Sequence, residues 1–378
     1  MSKRHDGLFE RIANFRALKA AAQRAILGKR RKPGASAFYA NLERELLRLE
    51  RELNAGGYRP GKYVEILVRD PKERLVSAAP FRDRVVHHAL CAVVCPVFER
   101  GFIDNSFANR TGKGTHRAIK AFETYRDRHA HVLRCDIFRY FPAIDHLVLK
   151  AEFRRRIACE RTLALMDRIV EGSNAQEPVN LYFPGDDLFS PFSRERGLPI
   201  GNLTSQFFAN LYLDRFDHWV TEVLGAPYVR YVDDFALFHN DARVLENWRV
   251  LIERFFEGRR LRLHPRKTFI ASTKTAANFL GFELLSDGSR RLPEDNVQRL
   301  RNRVRGLRDR YRAGTVAMAD VRARVGAWIA HAEHANSFRL REAMFKNGWF
   351  DPALHRVSIG SDSRLLRREH GRARGIIA

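Results

Sequence analysis

The chain has 378 residues and is 45% hydrophobic, enough to bury a sizeable core and to divide into two or three subdomains, which excludes a disordered tail. Its 68 Lys and Arg outweigh 44 Asp and Glu, and the formal net charge of +24 points to a polyanionic partner, nucleic acid before membrane. No window approaches 18 uninterrupted apolar residues, Met1 to Arg11 lacks the apolar core of a signal peptide, and Cys91, Cys95, Cys135 and Cys159 are too few for a disulfide framework, so a soluble cytoplasmic protein is expected.

Residues 1–60 read as a basic N-terminal extension, with Lys29-Arg30-Arg31-Lys32 followed by Pro33-Gly34. Phe38, Leu42, Leu46, Leu49 and Leu53 recur at helical spacing and predict one helix, which Gly56-Gly57 ends. From Tyr63 to Arg128 short β-like runs alternate with helical stretches, and Arg69, Lys72, Arg74, Arg82 and Arg84 cluster there. His87, Cys91 and Cys95 share one helical face and have the spacing for zinc, but their neighbours are apolar and small thiols commonly fill such cores. Gly112-Lys113-Gly114 hints at a phosphate loop. The glycine that such a loop needs five positions earlier is Phe107, and the hydroxyl it needs after the lysine is Gly114, so the segment does not read as a nucleotide-hydrolysing loop.

His131 to Ile137 reads as a buried strand carrying one acid, Asp136, and a helix follows from His146 to Arg156. Asn174 to Arg196 is rich in Pro, Gly and Asp and reads as a loop. The cluster Gly197-Leu198-Pro199-Ile200-Gly201-Asn202 precedes a predicted helix over Leu203 to Val220. Beyond Pro293 the chain reads as helical and Arg-heavy to its end, with His331 and His334 as packing or RNA-facing residues. There is no internal repeat.

The chemistry concentrates in Tyr231-Val232-Asp233-Asp234, set between the apolar runs Tyr228 to Arg230 and Phe235 to Phe238. Adjacent acids at a hairpin tip are also common simply because Asp tolerates turn geometry. Nucleotidyl transfer needs two Mg²⁺ about 4 Å apart, held by carboxylates on rigid elements. Asp136 and Asp233 are the candidate ligands, Asp234 a third acid nearer the edge, and the carbonyl of Ile137 can complete one shell.

These segments resemble the palm motifs of reverse transcriptases, in family order. Asp136-Ile137-Phe138-Arg139-Tyr140-Phe141 looks like the first catalytic-aspartate motif and Tyr231-Val232-Asp233-Asp234 like the second. Gly197 to Gln206 resembles the segment that packs on template and incoming nucleotide, Leu263 to Thr268 the segment that brings a lysine to the pyrophosphate, and Phe279-Leu280-Gly281-Phe282 the primer-grip turn. The resemblance implies an α+β right-hand polymerase. Interleaved fingers and an antiparallel palm sheet would span 61–290, and a helical thumb with a basic tail 291–378. It implies Mg²⁺ as cofactor, with Mn²⁺ able to substitute. RNA template, RNA–DNA hybrid and dNTPs would be partners, with no membrane role.

The roles implied for single residues follow. Phe141 would exclude a 2′-hydroxyl, Lys72 and Arg74 would grip the triphosphate, and Lys267 would protonate the leaving pyrophosphate. Gly201 would let the backbone approach the nucleotide, with Ser205, Gln206, Leu280 and Gly281 on nucleic acid and Arg110 and Lys113 on template phosphates. Plainer alternatives stand beside these: a core aromatic for Phe141, a solvated basic strand for Lys72 and Arg74, an electrostatic surface lysine for Lys267 and a helix-start glycine for Gly201.

Ile200 departs from most of the family, which carries Gln there and a later Ser-Pro where this chain has Ser205-Gln206. That pattern resembles the reverse transcriptases of diversity-generating retroelements, relatives of the group II intron type, which copy a template RNA with frequent errors at adenines. Low fidelity is therefore expected, because an aliphatic side chain donates no orienting hydrogen bond. A non-coding RNA and a small basic helical accessory protein are further implied partners. A phage-defence role on the same architecture and a catalytically silent RNA-binding relative are the alternatives. The intact Asp136, Asp233, Asp234 and Lys267 argue against the silent relative.

Overall fold

A computed structural model describes residues 4–69, 73–174 and 176–345, in two compact units, Met1–Thr273 and Lys274–Ala378. Lys72 and the Arg-rich end from Arg364 lie outside the described residues.

The first unit opens with four helices, Phe9–Ile12, Phe15–Ala25, Pro33–Ala40 and Leu42–Asn54. Asn14 caps the second by accepting the Ala17 N–H at 2.8 Å, and its buried stripe Leu18, Ala21, Ala22 and Ala25 packs on the long helix Phe81–Glu99. The residues read as a basic extension thus carry core-forming helices. The single helix expected from Phe38 is two, broken at Asn41 with Pro33 opening the first piece. Leu46, Leu49 and Leu53 are fully buried, and Gly56 follows with φ of 70°.

Two strands, β1 (Val64–Val68) and β2 (Arg74–Ala78), form an antiparallel hairpin whose first strand is exposed throughout. The central sheet has four antiparallel strands, β3 (His131–Asp136), β4 (Tyr228–Tyr231), β5 (Asp234–His239) and β6 (Phe269–Ser272), in the order β4-β5-β3-β6. Both of its faces are covered, which is why β5 is apolar along its length instead of alternating. Phe235 meets Phe256 of helix Ala242–Glu257, while Phe238, pointing the other way, lies 5.0 Å from Phe122 of helix Thr115–Arg126.

Helix His146–Arg156 follows β3 with the bounds the sequence predicts; Asp145 caps it at 3.0 Å and three arginines close its last turn. Residues 174 and 176–196 are irregular except for one turn, Ser190–Ser193. The predicted Leu203 to Val220 helix is Leu203–Tyr212, then Asp214–His218 and a π-turn, Trp219–Val223. His87 and Cys91 are buried on helix Phe81–Glu99, where burial holds His87 neutral, its pKa down to about 3.

The second unit pairs β7 (Ala277–Phe279), β8 (Phe282–Leu284) and β9 (Arg290–Arg291) into a small antiparallel sheet. Leu280 and Gly281 link β7 to β8 with φ of 49° and 87°, the two positive values of a type I′ turn. Helices Glu294–Arg312, Met318–Ala332 and Phe338–Phe345 follow, the first burying Val297, Leu300, Val304 and Leu307 on one stripe. The architecture is α+β with an antiparallel palm sheet. No helix among the described residues is long and apolar enough to cross a membrane.

Candidate active site

Strand register brings the acids to one end of the sheet. In the β3–β5 ladder Asp136 stands directly opposite Asp234, so the two share one face, with Cα atoms about 5 Å apart as in any antiparallel pair. Tyr231 pairs with Asp234 in the β4–β5 ladder, which leaves Val232 and Asp233 as a two-residue hairpin turn. The Asp233 carbonyl accepts the Ile137 N–H at 3.2 Å, tying the turn to the end of β3. Past that end, His264 N–H reaches the Asp136 carbonyl at 2.7 Å and Phe138 N–H the Arg262 carbonyl at 2.9 Å. This short pairing delivers Lys267.

Val232 has φ of 59°, at the first central position of the turn, where glycine is the usual occupant of a positive φ. For a β-branched residue this conformation costs about 1–3 kcal/mol and persists only when its surroundings over-determine it.

Burial, then repulsion from Asp136, pushes the Asp233 carboxyl up to about 6, and burial raises Asp234 against the opposing pull of Arg134. Arg134 Nη2 lies 3.2 Å from Asp234, and Lys267 Nζ 2.8 Å from each carboxylate oxygen of Asp136. Among the described residues no three acids already converge as a cation cage. The donor set nevertheless suits a hard divalent cation. It consists of hard carboxylate oxygens beside the buried Ile137 backbone, and crowding that raises Asp233 is what a divalent ion relieves.

The sequence pattern described as reverse transcriptase (RNA-dependent DNA polymerase) matches residues 68–284, more than half of the chain. The chain belongs to the reverse transcriptase family. Protein YkfC of Escherichia coli strain K12 is 25% identical over 292 residues, covering 66% of this chain and 74% of that protein. Among solved structures, the chain is similar to a Candida albicans telomerase in complex with a fragment of telomeric RNA, at 14% identity and a TM-score of 0.41, over 62% of this chain and 46% of that one. It is also similar to an apo telomerase from Candida tropicalis truncated from its C-terminal domain, at 11% identity and a TM-score of 0.43, over 61% and 54%. The chain thus spans about half the length of these telomerases.

Within this reverse transcriptase domain, Asp136, the adjacent pair Asp233 and Asp234, and Lys267 come from three separate places in the chain. Phe141, half-buried, lies on the short helix Tyr140–Ala143, and its carbonyl accepts the Leu198 N–H at 2.9 Å. Ile200 accepts the Ser77 N–H at 2.9 Å, and Gly201 packs on Val76, so β2 runs beside the Gly197–Asn202 loop and carries the exposed Arg74 at its start. Ser205 is buried and Gln206 half-buried on helix Leu203–Tyr212. Arg110 turns inward, bonding Glu99 at 2.6 Å and the carbonyls of Ile103 and Ser106, and Lys113 pairs with Asp104 at 3.0 Å. Both therefore organise the 103–114 loop in this structure. Leu280 and Gly281 belong to the second unit.

The sequence reading gives no role to Arg134, Asn202, Asp217 or Arg230. Asn202 stitches the loop to β2, accepting from Ala79 N–H at 3.3 Å and donating to the Ser77 carbonyl at 2.9 Å. Arg230 sits fully buried on β4, paired with Asp217. The one available signal was an arginine inside an otherwise apolar strand run, which demands a buried acid.

Proposed function

We propose that the chain is an RNA-directed DNA polymerase that adds deoxynucleotides to a primer 3′-end, with two magnesium ions held by Asp136 and Asp233, assisted by Asp234 and the Ile137 carbonyl. The observation that carries this reading is the register setting Asp136 opposite Asp234 while the Asp233 turn bonds to Ile137. Bound there, magnesium supplies activation of the attacking hydroxyl and neutralisation of the leaving pyrophosphate. Lys267, paired with Asp136, is the proton donor at hand for that pyrophosphate. Phe141, beside the 197–202 loop, excludes the 2′-hydroxyl. Arg74 and Lys72 grip the triphosphate, and Gly201 lets the backbone come close to it.

The finer reading is an error-prone enzyme of a diversity-generating retroelement, working with a non-coding RNA and a small helical accessory protein. Support comes from Ile200, an aliphatic residue at the loop that abuts β2. Primer extension on an RNA template, with dNTPs and NTPs offered separately, tests the polymerase reading. DNA synthesis that Asp233→Asn abolishes without loss of RNA binding supports it, and synthesis by Asp233→Asn overturns it.

A further inference from the structure

Arg230 is fully buried on β4, two residues before the turn that carries Asp233, and every nitrogen of its guanidinium is bonded. Nε and Nη2 hold the two carboxylate oxygens of Asp217 at 2.6 and 2.5 Å, a bidentate pair. Nη2 also reaches Ser106 Oγ at 2.9 Å, while Nη1 donates to Asn210 Oδ1 at 3.3 Å and to the Val232 carbonyl at 3.0 Å. Tyr228 completes the shell on Asp217 at 2.8 Å. The main chain of Arg230 is held too, its N–H by the Asn105 carbonyl and its carbonyl by Phe107 N–H.

The one contact with the turn falls on the strained residue. Val232 holds its left-handed φ directly before Asp233, and the orientation of its carbonyl fixes the peptide plane from which Asp233 departs. Asp217 lies in helix Asp214–His218 and Asn210 in helix Leu203–Tyr212, the helix that follows the nucleotide-side loop. The Arg230–Asp217 pair therefore references the turn to the rigid helical layer.

We propose that Arg230, clamped by Asp217, is a positioning residue: through the Val232 carbonyl it holds the strained turn in the conformation that presents Asp233. This rests on the polymerase reading for its kinetic consequence, although the geometry of the turn does not. Lysine at 230 can neutralise Asp217 but cannot bridge to Val232 at the same time, because it lacks the planar fork. Glycine at 232 can adopt the positive φ without help.

The test compares the parent, Arg230→Lys, Val232→Gly and the double variant, each checked by thermal melting. Readouts are kcat and KM for dNTP in primer extension, and Mn²⁺ affinity by electron paramagnetic resonance. Arg230→Lys should fold, lose about thirtyfold in kcat with KM within threefold, and bind Mn²⁺ about tenfold more weakly, as misplacement at a reacting centre predicts. Adding Val232→Gly should restore at least fivefold of that kcat. A folded Arg230→Lys with parental kcat and Mn²⁺ affinity overturns the proposal, as does a loss that Val232→Gly leaves untouched. If Arg230→Lys does not fold, Asp217→Asn, which keeps shape but loosens the clamp, is read by the same criteria, again with and without Val232→Gly. Should the parent itself make no DNA, the polymerase reading fails, and Mn²⁺ affinity alone decides the positioning role.

Discussion

Lys267 Nζ and the Asp136 carboxylate meet at 2.8 Å on both oxygens, across 131 residues of chain, and they do so because the 262–264 segment pairs with the end of β3. With Lys267 about half exposed, the pair contributes less than about 1 kcal/mol to stability. Lys267→Met should therefore melt close to the parent while its single-turnover rate of nucleotide addition falls about a hundredfold, the scale of a lost general acid. An unchanged rate would assign Lys267 to the surface.

Asp233 supplies a pH signature. Its folded pKa, about 6, stands above the ordinary value near 3.9, so the unfolded chain ionises first. Stability from the protonated group is present in full below pH 4 and is lost as pH rises through 6. In chelator, Asp233→Asn should out-melt the parent above pH 6 by on the order of 1–2 kcal/mol, discounting for partial exposure. The gap should close by pH 4. Melts from pH 4 to 8 check this, and a gap independent of pH would contradict it.

What was legible in the sequence tracks how local its cause is. β3 and helix His146–Arg156 could be read because their apolar runs and caps sit in contiguous residues. The Asp233 turn could be read because it lies between two contiguous apolar runs, although the acid pair took on a chemical meaning only beside the other motifs. The break at Asn41 could not, since Phe38 of the first helix and the leucines of the second happen to keep one period across it. Nor could the inward turn of Arg110 or the identity of the acid that Arg230 needs, because the partners Glu99 and Asp217 are set by tertiary packing and not by spacing. The 1–60 segment looked like a basic arm because its charges are frequent, while the small residues Ala21, Ala22 and Ala25 that bury it are easily overlooked.

Phe141 sets a prediction on sugar choice. Its main chain accepts from Leu198 at 2.9 Å and its half-buried ring stands edge-on to Tyr140, with ring centroids 5.7 Å apart. Phe141→Ala should raise ribonucleotide incorporation by a hundredfold or more relative to dNTP use, on the order of the 10²–10³ that a few kcal/mol of lost steric exclusion allows. Competition between matched dNTP and NTP in primer extension measures it.

The proposed low fidelity can be tested at Ile200. Its carbonyl is already committed to Ser77, so only the side chain differs from the family's usual glutamine, and the loop should tolerate the change. Ile200→Gln should lower misincorporation opposite template adenine several-fold, with the rate of correct addition little altered. Sequencing of the products decides; equal error spectra would remove Ile200 as the cause.

Gly201 is constrained twice over. Its φ of 109° is one that side chains with a Cβ rarely adopt, and a Cβ there would stand 2.8 Å from Val76 Cγ1 on β2. The backbone term alone is about 1–3 kcal/mol, and Val76, stiff at χ1, cannot rotate away freely. Gly201→Ala should therefore push β2, and with it Arg74, away from the loop, raising KM for dNTP about tenfold. The double variant Gly201→Ala with Val76→Ala removes the collision but not the backbone strain, so it should recover only part of that loss. Complete recovery would show that space alone, and not the left-handed backbone, requires glycine at this position.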